Sequence, residues 1–203
     1  MKALELANYI LGKYSNKEIT PLKLQKLVYY VKSWSLVSNI DLGEIKFYKW
    51  NFGPVNKEVY NAFKSFGKTV IQQNDSSISN YSTEIQEFIN FIVENYIQFD
   101  AFTLSAMTHQ EEPWIKTKDD EIISESLIAG YYSKKEFAKN FPYSKNNKFY
   151  PLKNNLDFSF ELDFSPTDKN NNQVYNSFEE YLEMISVTKH HLKETIENLL
   201  NEK

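Results

Sequence analysis

Apolar residues between positions 20 and 38 follow the spacing of an α-helix with two apolar sides. Thr20 and Pro21 suit the N-cap and the first helical position, because the threonine can accept an orphan N–H and the proline has none. The i, i+3, i+4, i+7 spacing of one helix face is followed by Leu24, Leu27, Val28 and Val31. A second line on the other side consists of Leu22, Tyr29 and Leu36.

This two-sided pattern allows two interpretations. A helix in the middle of a core needs apolar residues on both sides, and this is the commoner arrangement. Alternatively, one side of the helix is reserved for a protein partner. The residues that would then face the partner are Leu22, Tyr29 and Leu36.

Helical spacing recurs in shorter segments along the first 140 residues. These segments span residues 3–14, 55–66, 85–96, 104–109 and 124–132. Gly67 suits the position just after the second segment, and Ser124 suits the N-cap of the last one. Ser133 and Glu136 have the spacing of a capping box, which predicts another helix start.

The remaining segments of this region favour extended or irregular structure. Residues 43–50 are aromatic and predicted to be extended, and Gly53-Pro54 predicts a turn. Residues 72–80 are polar and predicted to form a loop.

The pattern changes after about residue 140. Between 156 and 164, apolar Leu156, Phe158, Phe160, Leu162 and Phe164 alternate with polar residues, as in a strand with one apolar face. Residues 149–152 and 174–175 are candidate partner strands, and Ser177 with Glu180 fits a capping box that opens a helix over 178–201. The sequence thus predicts a mainly α chain, α+β overall, with a helical domain at 1–140 and an extension at 141–203.

Composition excludes several classes of function. The 203 residues include no cysteine, which rules out thiol nucleophiles, disulfides and cysteine metal sites. The net charge of −4 and the absence of arginine disfavour sequence-specific DNA binding. No apolar run approaches the roughly 18–20 residues that span a membrane. Since Glu5 lies inside the apolar pattern of the N-terminus, the sequence does not suggest a signal peptide, and we expect a soluble cytoplasmic protein.

Candidate catalytic residues are few. His109 and Glu112 lie at a predicted helix end beside Trp114, but a histidine bonded to nearby backbone is commoner than a general base. His190 and Glu194 have metal-ligand spacing, although they share a polar helix face. We therefore expect no catalytic residues, no metal and no cofactor. A DNA-binding autorepressor using Lys23 and Lys26, and an enzyme using His109 and Glu112, remain the alternatives.

Three segments, in this order, resemble the Panacea domain, also called SocA-like or GepA-like. They are Leu22 to Tyr30, Trp50 to Val55 with the following helix to Gly67, and Leu104 to Trp114. The family pattern runs roughly Leu-Lys-Leu-Gln-Lys-Leu-Leu-Tyr-Tyr, Trp-x-Tyr-Gly-Pro-Val and Leu-Ser-x-x-Thr-His-x-Glu-x-Pro-Trp. The residues of this chain assigned to it are Leu24, Gln25, Lys26, Tyr29, Tyr30, Trp50, Gly53, Pro54, Val55, Thr108, His109, Glu112, Pro113 and Trp114.

The chain departs from this pattern in two mild ways and one larger one. Phe52 stands where the family usually has tyrosine, and Asn56 stands where it often has valine or proline. The extension after residue 140 lies outside the pattern.

The resemblance implies a mostly helical bacterial or phage antitoxin. Many members are encoded beside a small toxin gene and neutralise its product by direct contact, and one delivers its toxin to a protease. The expected partner is therefore a cognate toxin encoded by an adjacent gene, without specific nucleic acid or membrane insertion, whereas the oligomeric state is left open. Toxin specificity would come from the extension, either from its last helix or from the strand that carries Phe158, Phe160 and Leu162.

Overall fold

The computed structural model describes residues 1–72, 81–144, 147–153, 174–187 and 190, and it confirms a mainly α fold. Seven α-helices lie between residues 3 and 132 of the described chain: α1 Ala3–Lys13, α2 Pro21–Ser38, α3 Lys57–Phe63, α4 Thr83–Tyr96, α5 Ala101–His109, α6 Glu112–Lys116 and α7 Glu125–Tyr132. Two 3₁₀ helices cover Lys64–Phe66 and Glu136–Asn140, and residues 178–187 form a further helix, α8. Strands β1 Tyr48–Trp50 and β2 Gly53–Val55 form one antiparallel sheet.

Helix α2 is the centre of the core. It packs against α1, α4, α5 and α7 as well as β2, and every residue from 24 to 35 is buried. Thr20 caps it as predicted, since its hydroxyl accepts the Lys23 N–H at 3.3 Å, and Asn39 ends it with a φ of +60°. The two apolar sides are thus explained by neighbours within the chain, as the core-helix interpretation requires.

Strands β1 and β2 form a hairpin with a two-residue turn. Tyr48 pairs with Val55 and Trp50 with Gly53, so that Asn51 and Phe52 make the turn. The prediction that Gly53-Pro54 is the turn is therefore wrong by two residues. Gly53 has a φ of +93°, which a glycine adopts without the steric cost of a Cβ, and it opens the second strand instead.

Most predicted caps are confirmed, with one exception. Ser124 accepts the Leu127 N–H at 3.3 Å and starts α7, and Gly67 ends the 3₁₀ helix with a φ of +56°. Ser133 does not start a helix but ends α7, where its own N–H donates to the carbonyl of Ala129. The capping-box prediction is therefore wrong at Ser133. The next helical segment begins at Glu136, and Lys135 occupies its N-cap position.

The described part of the C-terminal region packs on the same core as the N-terminal helices. Phe149 and Tyr175 pair through two backbone hydrogen bonds of 2.8 and 3.0 Å, so the two candidate partner segments pair with each other. The Phe178 ring lies 4.9 Å from both Phe91 and Phe149. The alternating segment 156–164 lies outside the described residues. The boundary at residue 140 stays a prediction, and side chains from both sides of it share one apolar cluster.

We expect Phe178→Ala to lower the free energy of unfolding by about 3 kcal/mol, because it removes a buried ring from between Phe91 and Phe149. Chemical denaturation followed by circular dichroism measures the change. Val187→Ala is the matched control on the same helix, since its side chain is 63% exposed. Equal, small effects of both substitutions would show that α8 does not belong to the core.

Candidate functional site

The first two motif segments are joined by buried polar contacts between α2 and the hairpin. The Lys26 ammonium lies in the core and donates to the Pro54 carbonyl at 3.0 Å. Gln25 accepts the Asn56 N–H at 2.9 Å and donates to its carbonyl at 3.1 Å. These bonds satisfy backbone groups of a short hairpin that has few ladder bonds of its own, and they fix it against the helix.

Gly53 allows this close approach. A Cβ at this position would lie 2.7 Å from the Lys26 amine nitrogen and would also overlap the Thr108 hydroxyl. Thr108 belongs to the third motif segment, on α5. Residues from all three segments therefore meet where the backbone of Gly53 passes between α2 and α5.

The third motif segment also makes hydrogen bonds to the backbone of the hairpin. Ser105 donates to the Phe52 carbonyl at 2.9 Å, and the Trp114 indole donates to the Trp50 carbonyl at 3.2 Å. His109 places one ring nitrogen 2.6 Å from the Ser105 carbonyl and the other 2.9 Å from the Asn51 carbonyl. His109 therefore links α5 to the turn of the hairpin.

These contacts give structural roles to the residues that were candidates for catalysis or DNA binding. Both ring nitrogens of His109 face backbone carbonyls, which leaves neither free to take a proton from a substrate in this conformation. Glu112 is exposed and pairs with Lys116 at 2.7 Å. Lys26 is buried and cannot contact a phosphate, so the basic strip proposed for DNA binding does not exist at this position.

The buried carboxylate of the site is Glu111 rather than Glu112. Its Oε2 accepts hydrogen bonds from Tyr29 at 3.2 Å and from Tyr132 at 2.8 Å. Burial raises the pKa of Glu111 to about 7, an effect that the bonds from Tyr132 and Tyr29 partly counter. Burial also lowers the pKa of Lys26 to about 7, while the charge of Glu111 acts in the opposite direction.

Glu111 was missed because Glu112 was assigned to the family motif. In the pattern Thr-His-x-Glu-x-Pro-Trp the glutamate follows histidine by two positions, which in this chain is Glu111. The signal was thus present in the spacing. The structure agrees with that spacing, because it buries Glu111 and leaves Glu112 exposed on the first turn of α6.

An apolar groove on the outer face of the hairpin is the best candidate for a partner-binding surface. Its volume is about 540 Å³, and its lining includes Leu22, Trp50, Phe52, Val59 and Tyr60. Phe52 is 65% exposed and Tyr60 is 40% exposed. The ring of Tyr60 lies 5.0 Å from that of Trp50, so these two side chains form one aromatic patch in the groove.

The residues predicted to bind a partner do not lie on one surface. Leu22 lines the groove, whereas Leu36 is half-buried at the other end of α2, beside the loop that contains Gly43. Tyr29 is completely buried and bonded to Glu111, so its assignment to a partner face is corrected. Helical spacing placed Tyr29 correctly on the second side of α2, but α7 and the Phe47 segment cover that side. Phe158, Phe160 and Leu162 lie outside the described residues.

Among the residues that the structure describes, no group of three or more histidine, aspartate or glutamate side chains is arranged to hold a metal ion. His190 is an exposed residue in helical conformation, and Glu194 lies outside the described ranges. None of the helices that the structure describes is long and apolar enough to cross a membrane.

Residues 24–115 match the family model described as antitoxin SocA-like, Panacea domain. The matched range contains the hairpin, Gly53, Thr108 and Glu111, and it confirms the resemblance seen in the three segments. No curated protein and no solved structure matched the chain.

We expect Gly53→Ala to destabilise the fold by more than about 3 kcal/mol, because the new methyl group would overlap Lys26 and Thr108 in addition to straining the backbone. Thermal and chemical unfolding measure the loss. Gly67→Ala is the matched control, since Gly67 also has a positive φ but has no atom within 4 Å of a Cβ. Similar losses of stability in both variants would show that backbone strain, and not overlap with Lys26 and Thr108, causes the destabilisation.

The raised pKa of Glu111 makes stability depend on pH. Between about pH 4.5 and 7 the unfolded chain releases this proton before the folded chain does, so the free energy of unfolding falls as pH rises. We expect Glu111→Gln to remove a decline on the order of 2 kcal/mol over this range. Denaturation at several pH values measures it, with exposed Glu112→Gln as control. If the free energy of unfolding of Glu111→Gln falls with pH as steeply as that of the wild type, Glu111 is not the group responsible for the pH dependence.

Proposed function

We propose that this chain, whose residues 24–115 belong to the SocA-like Panacea domain family, neutralises a toxin protein by binding it directly. Family membership supports an antitoxin-type role in general and favours a role other than catalysis. The toxin is proposed to be the product of an adjacent gene.

The observation that supports direct binding is the exposed aromatic groove on the hairpin. Phe52 exposes 65% of its side chain at the tip of a turn that is held in place by His109 and Ser105. A large apolar side chain on a rigid turn loses little conformational freedom on binding, which is typical of residues that dominate protein interfaces. The groove beside it, with a volume of about 540 Å³, can receive an apolar side chain of the partner.

The same contacts explain why the motif suits a binding module. Lys26 and Thr108 lie against the backbone of Gly53 on the buried side of the hairpin, while Phe52 and Tyr60 are exposed. The buried residues fix the shape of the hairpin, and the exposed residues are available to contact a partner. Phe52 itself departs from the tyrosine that the family pattern usually has, so this chain presents a more apolar tip.

Delivery of the toxin to a protease would begin with the same binding step. Blocking and delivery differ in what happens to the bound toxin: its amount stays constant in the first case and falls in the second. Measuring the toxin level during rescue therefore separates the two mechanisms.

We expect the neighbouring small open reading frame to stop growth when induced, and this chain to relieve the arrest. Phe52→Ser should weaken rescue and lower the affinity at least about tenfold, because it removes the exposed anchor of the groove. Ile115→Ser is the matched control: Ile115 is 55% exposed but does not line the groove.

Calorimetry with purified toxin measures the affinities, and circular dichroism checks that both variants fold. Unchanged affinity of a folded Phe52→Ser variant would place the interface elsewhere. Growth arrest that the wild-type chain does not relieve would contradict the antitoxin proposal itself.

The extension is proposed to add toxin specificity, and residues 154–173 test this better than a deletion of 141–203. Phe149, Tyr175 and Phe178 belong to the core, so the longer deletion would expose Phe91. We expect replacement of 154–173 by a short Gly-Ser linker to preserve folding and to reduce neutralisation of the cognate toxin. Folding is followed by circular dichroism and neutralisation by growth rescue. Full rescue by the linker variant would show that residues 154–173 do not determine toxin specificity.

A further inference from the structure

His109 connects the end of α5 to the turn of the hairpin through both nitrogens of its ring. Nδ1 lies 2.6 Å from the carbonyl oxygen of Ser105, and Nε2 lies 2.9 Å from the carbonyl oxygen of Asn51. A carbonyl oxygen only accepts, so each contact is a hydrogen bond only if the facing nitrogen carries a hydrogen. A neutral imidazole carries one such hydrogen, and an imidazolium carries two. The geometry therefore fits the protonated ring.

Either neutral form of the His109 ring breaks this connection at one end. If the hydrogen stays on Nδ1, a bare Nε2 faces the Asn51 carbonyl, and if it stays on Nε2, a bare Nδ1 faces the Ser105 carbonyl. Lone pairs that face each other at such distances repel, so the ring must leave one of the two carbonyls. The Ser105 carbonyl keeps a donor in both cases, because the Thr108 hydroxyl also reaches it at 2.7 Å. The link between α5 and the turn is what deprotonation weakens.

The immediate surroundings of His109 suit a cation. His109 is the last residue of α5, where the partial negative charge of the helix end favours a positive side chain. Its ring centroid lies 4.2 Å from that of Trp114, within the range of a cation–π contact. The Lys49 amine also lies over the Trp114 ring, at 4.3 Å, but its charge is paired with Asp119 at 3.3 Å.

Further charged side chains lie on the elements packed against α5. They are Lys23 and Lys26 on α2, Glu111, Glu112 and Lys116 at α6, and Asp100 at the N-cap of α5 itself. Glu112 pairs with Lys116 at 2.7 Å, and Lys23 interacts with Asp100 at the opposite end of α5. Burial moves the pKa values of Glu111 and Lys26 to about 7, so both also titrate near neutral pH. Their effect has to be separated from that of His109.

We propose that His109 is a pH-sensitive clamp, whose protonated ring holds the hairpin turn in its binding conformation and whose deprotonation releases the turn. Asn51 and Phe52 form this turn, and Ser105 holds the Phe52 carbonyl through its hydroxyl at 2.9 Å. Histidine changes its charge between about pH 5 and 8, so the clamp is present at lower pH and lost as pH rises. A released turn must be ordered again when Phe52 binds a partner, which lowers affinity.

NMR spectroscopy of the full chain, without a partner, tests the clamp. The ring ¹⁵N signals of His109 show how many of its nitrogens carry hydrogen, and the amides of Phe52 and Gly53 report on the turn. We expect ring and amide signals to shift with the same midpoint, and the order parameters of these amides to fall from about 0.85 toward about 0.6 as pH rises. His109→Gln should abolish the titration of the turn, because its amide donates to one carbonyl at any pH. His190→Gln, which changes an exposed histidine, should retain it.

Calorimetry with the purified product of the adjacent gene tests the effect on binding, which rests on the proposed function. Glu111, Lys26 and the partner also titrate, so the ratio of the Kd at about pH 8 to the Kd at about pH 6 is measured for the wild type and for His109→Gln. We expect the wild-type ratio to be at least about three times that of His109→Gln. His190→Gln should give the wild-type ratio.

Three results would overturn the clamp. They are a His109 ring that does not titrate between about pH 5 and 8, turn amides that keep their signals and order parameters while the ring titrates, and a complex in which wild type and His109→Gln have equal ratios. If no complex forms at either pH, the antitoxin proposal fails, but the NMR result still decides the clamp because it needs no partner. The wild-type titration also decides it if His109→Gln does not fold.

Discussion

The close contact of Lys26 with the hairpin is the interaction on which the site depends. A buried amine reaches the Pro54 carbonyl at 3.0 Å, and only a glycine at position 53 leaves room for it. Burying an ammonium group is costly, and here the hydrogen bond to the Pro54 carbonyl and the charge of Glu111 offset only part of the cost, since burial still lowers the pKa of Lys26 to about 7. Helix α2, the hairpin and the start of α6 are therefore coupled through buried polar contacts of Lys26 and Glu111.

This coupling explains how one motif can be both structural and functional. The polar residues of the three segments face inward and hold the hairpin backbone, whereas Phe52 and Tyr60 remain on the outside. A partner that binds the outside meets a turn already fixed by His109 and Ser105. The proposed binding surface is thus held by hydrogen bonds from α5, although the strands behind it are only three residues long.

Much of the fold could be predicted because its signals are local. The helix spacing, the Thr20 and Ser124 caps and the positive φ at Gly67 follow from residues close in sequence. Ser133 failed as a cap because its sequence signal fits the end of one helix as well as the start of another. The turn was misplaced because Gly53 is required by its distant neighbours, Lys26 and Thr108, and not by the turn itself.

The candidate site was harder to predict because it depends on which face of each element is covered. Tyr29 lies on the predicted side of α2, but only the packing of Tyr132 and Phe47 shows that this side is closed. Glu111 and Glu112 are adjacent and chemically equal, so only the motif spacing in the sequence selects Glu111, and burial in the structure confirms that choice. The aromatic groove has no periodic signature, since its residues come from α2, the hairpin and α3.

Hydrogen exchange of the chain, free and mixed with the purified product of the adjacent gene, shows whether and where a partner binds. We expect a stable complex in which new protection of backbone amides is concentrated at residues 50–60, across the hairpin turn and the start of α3. This result would locate binding on the surface that the motif holds in place. Absence of a complex, or protection that leaves the hairpin unchanged, would contradict binding at the hairpin.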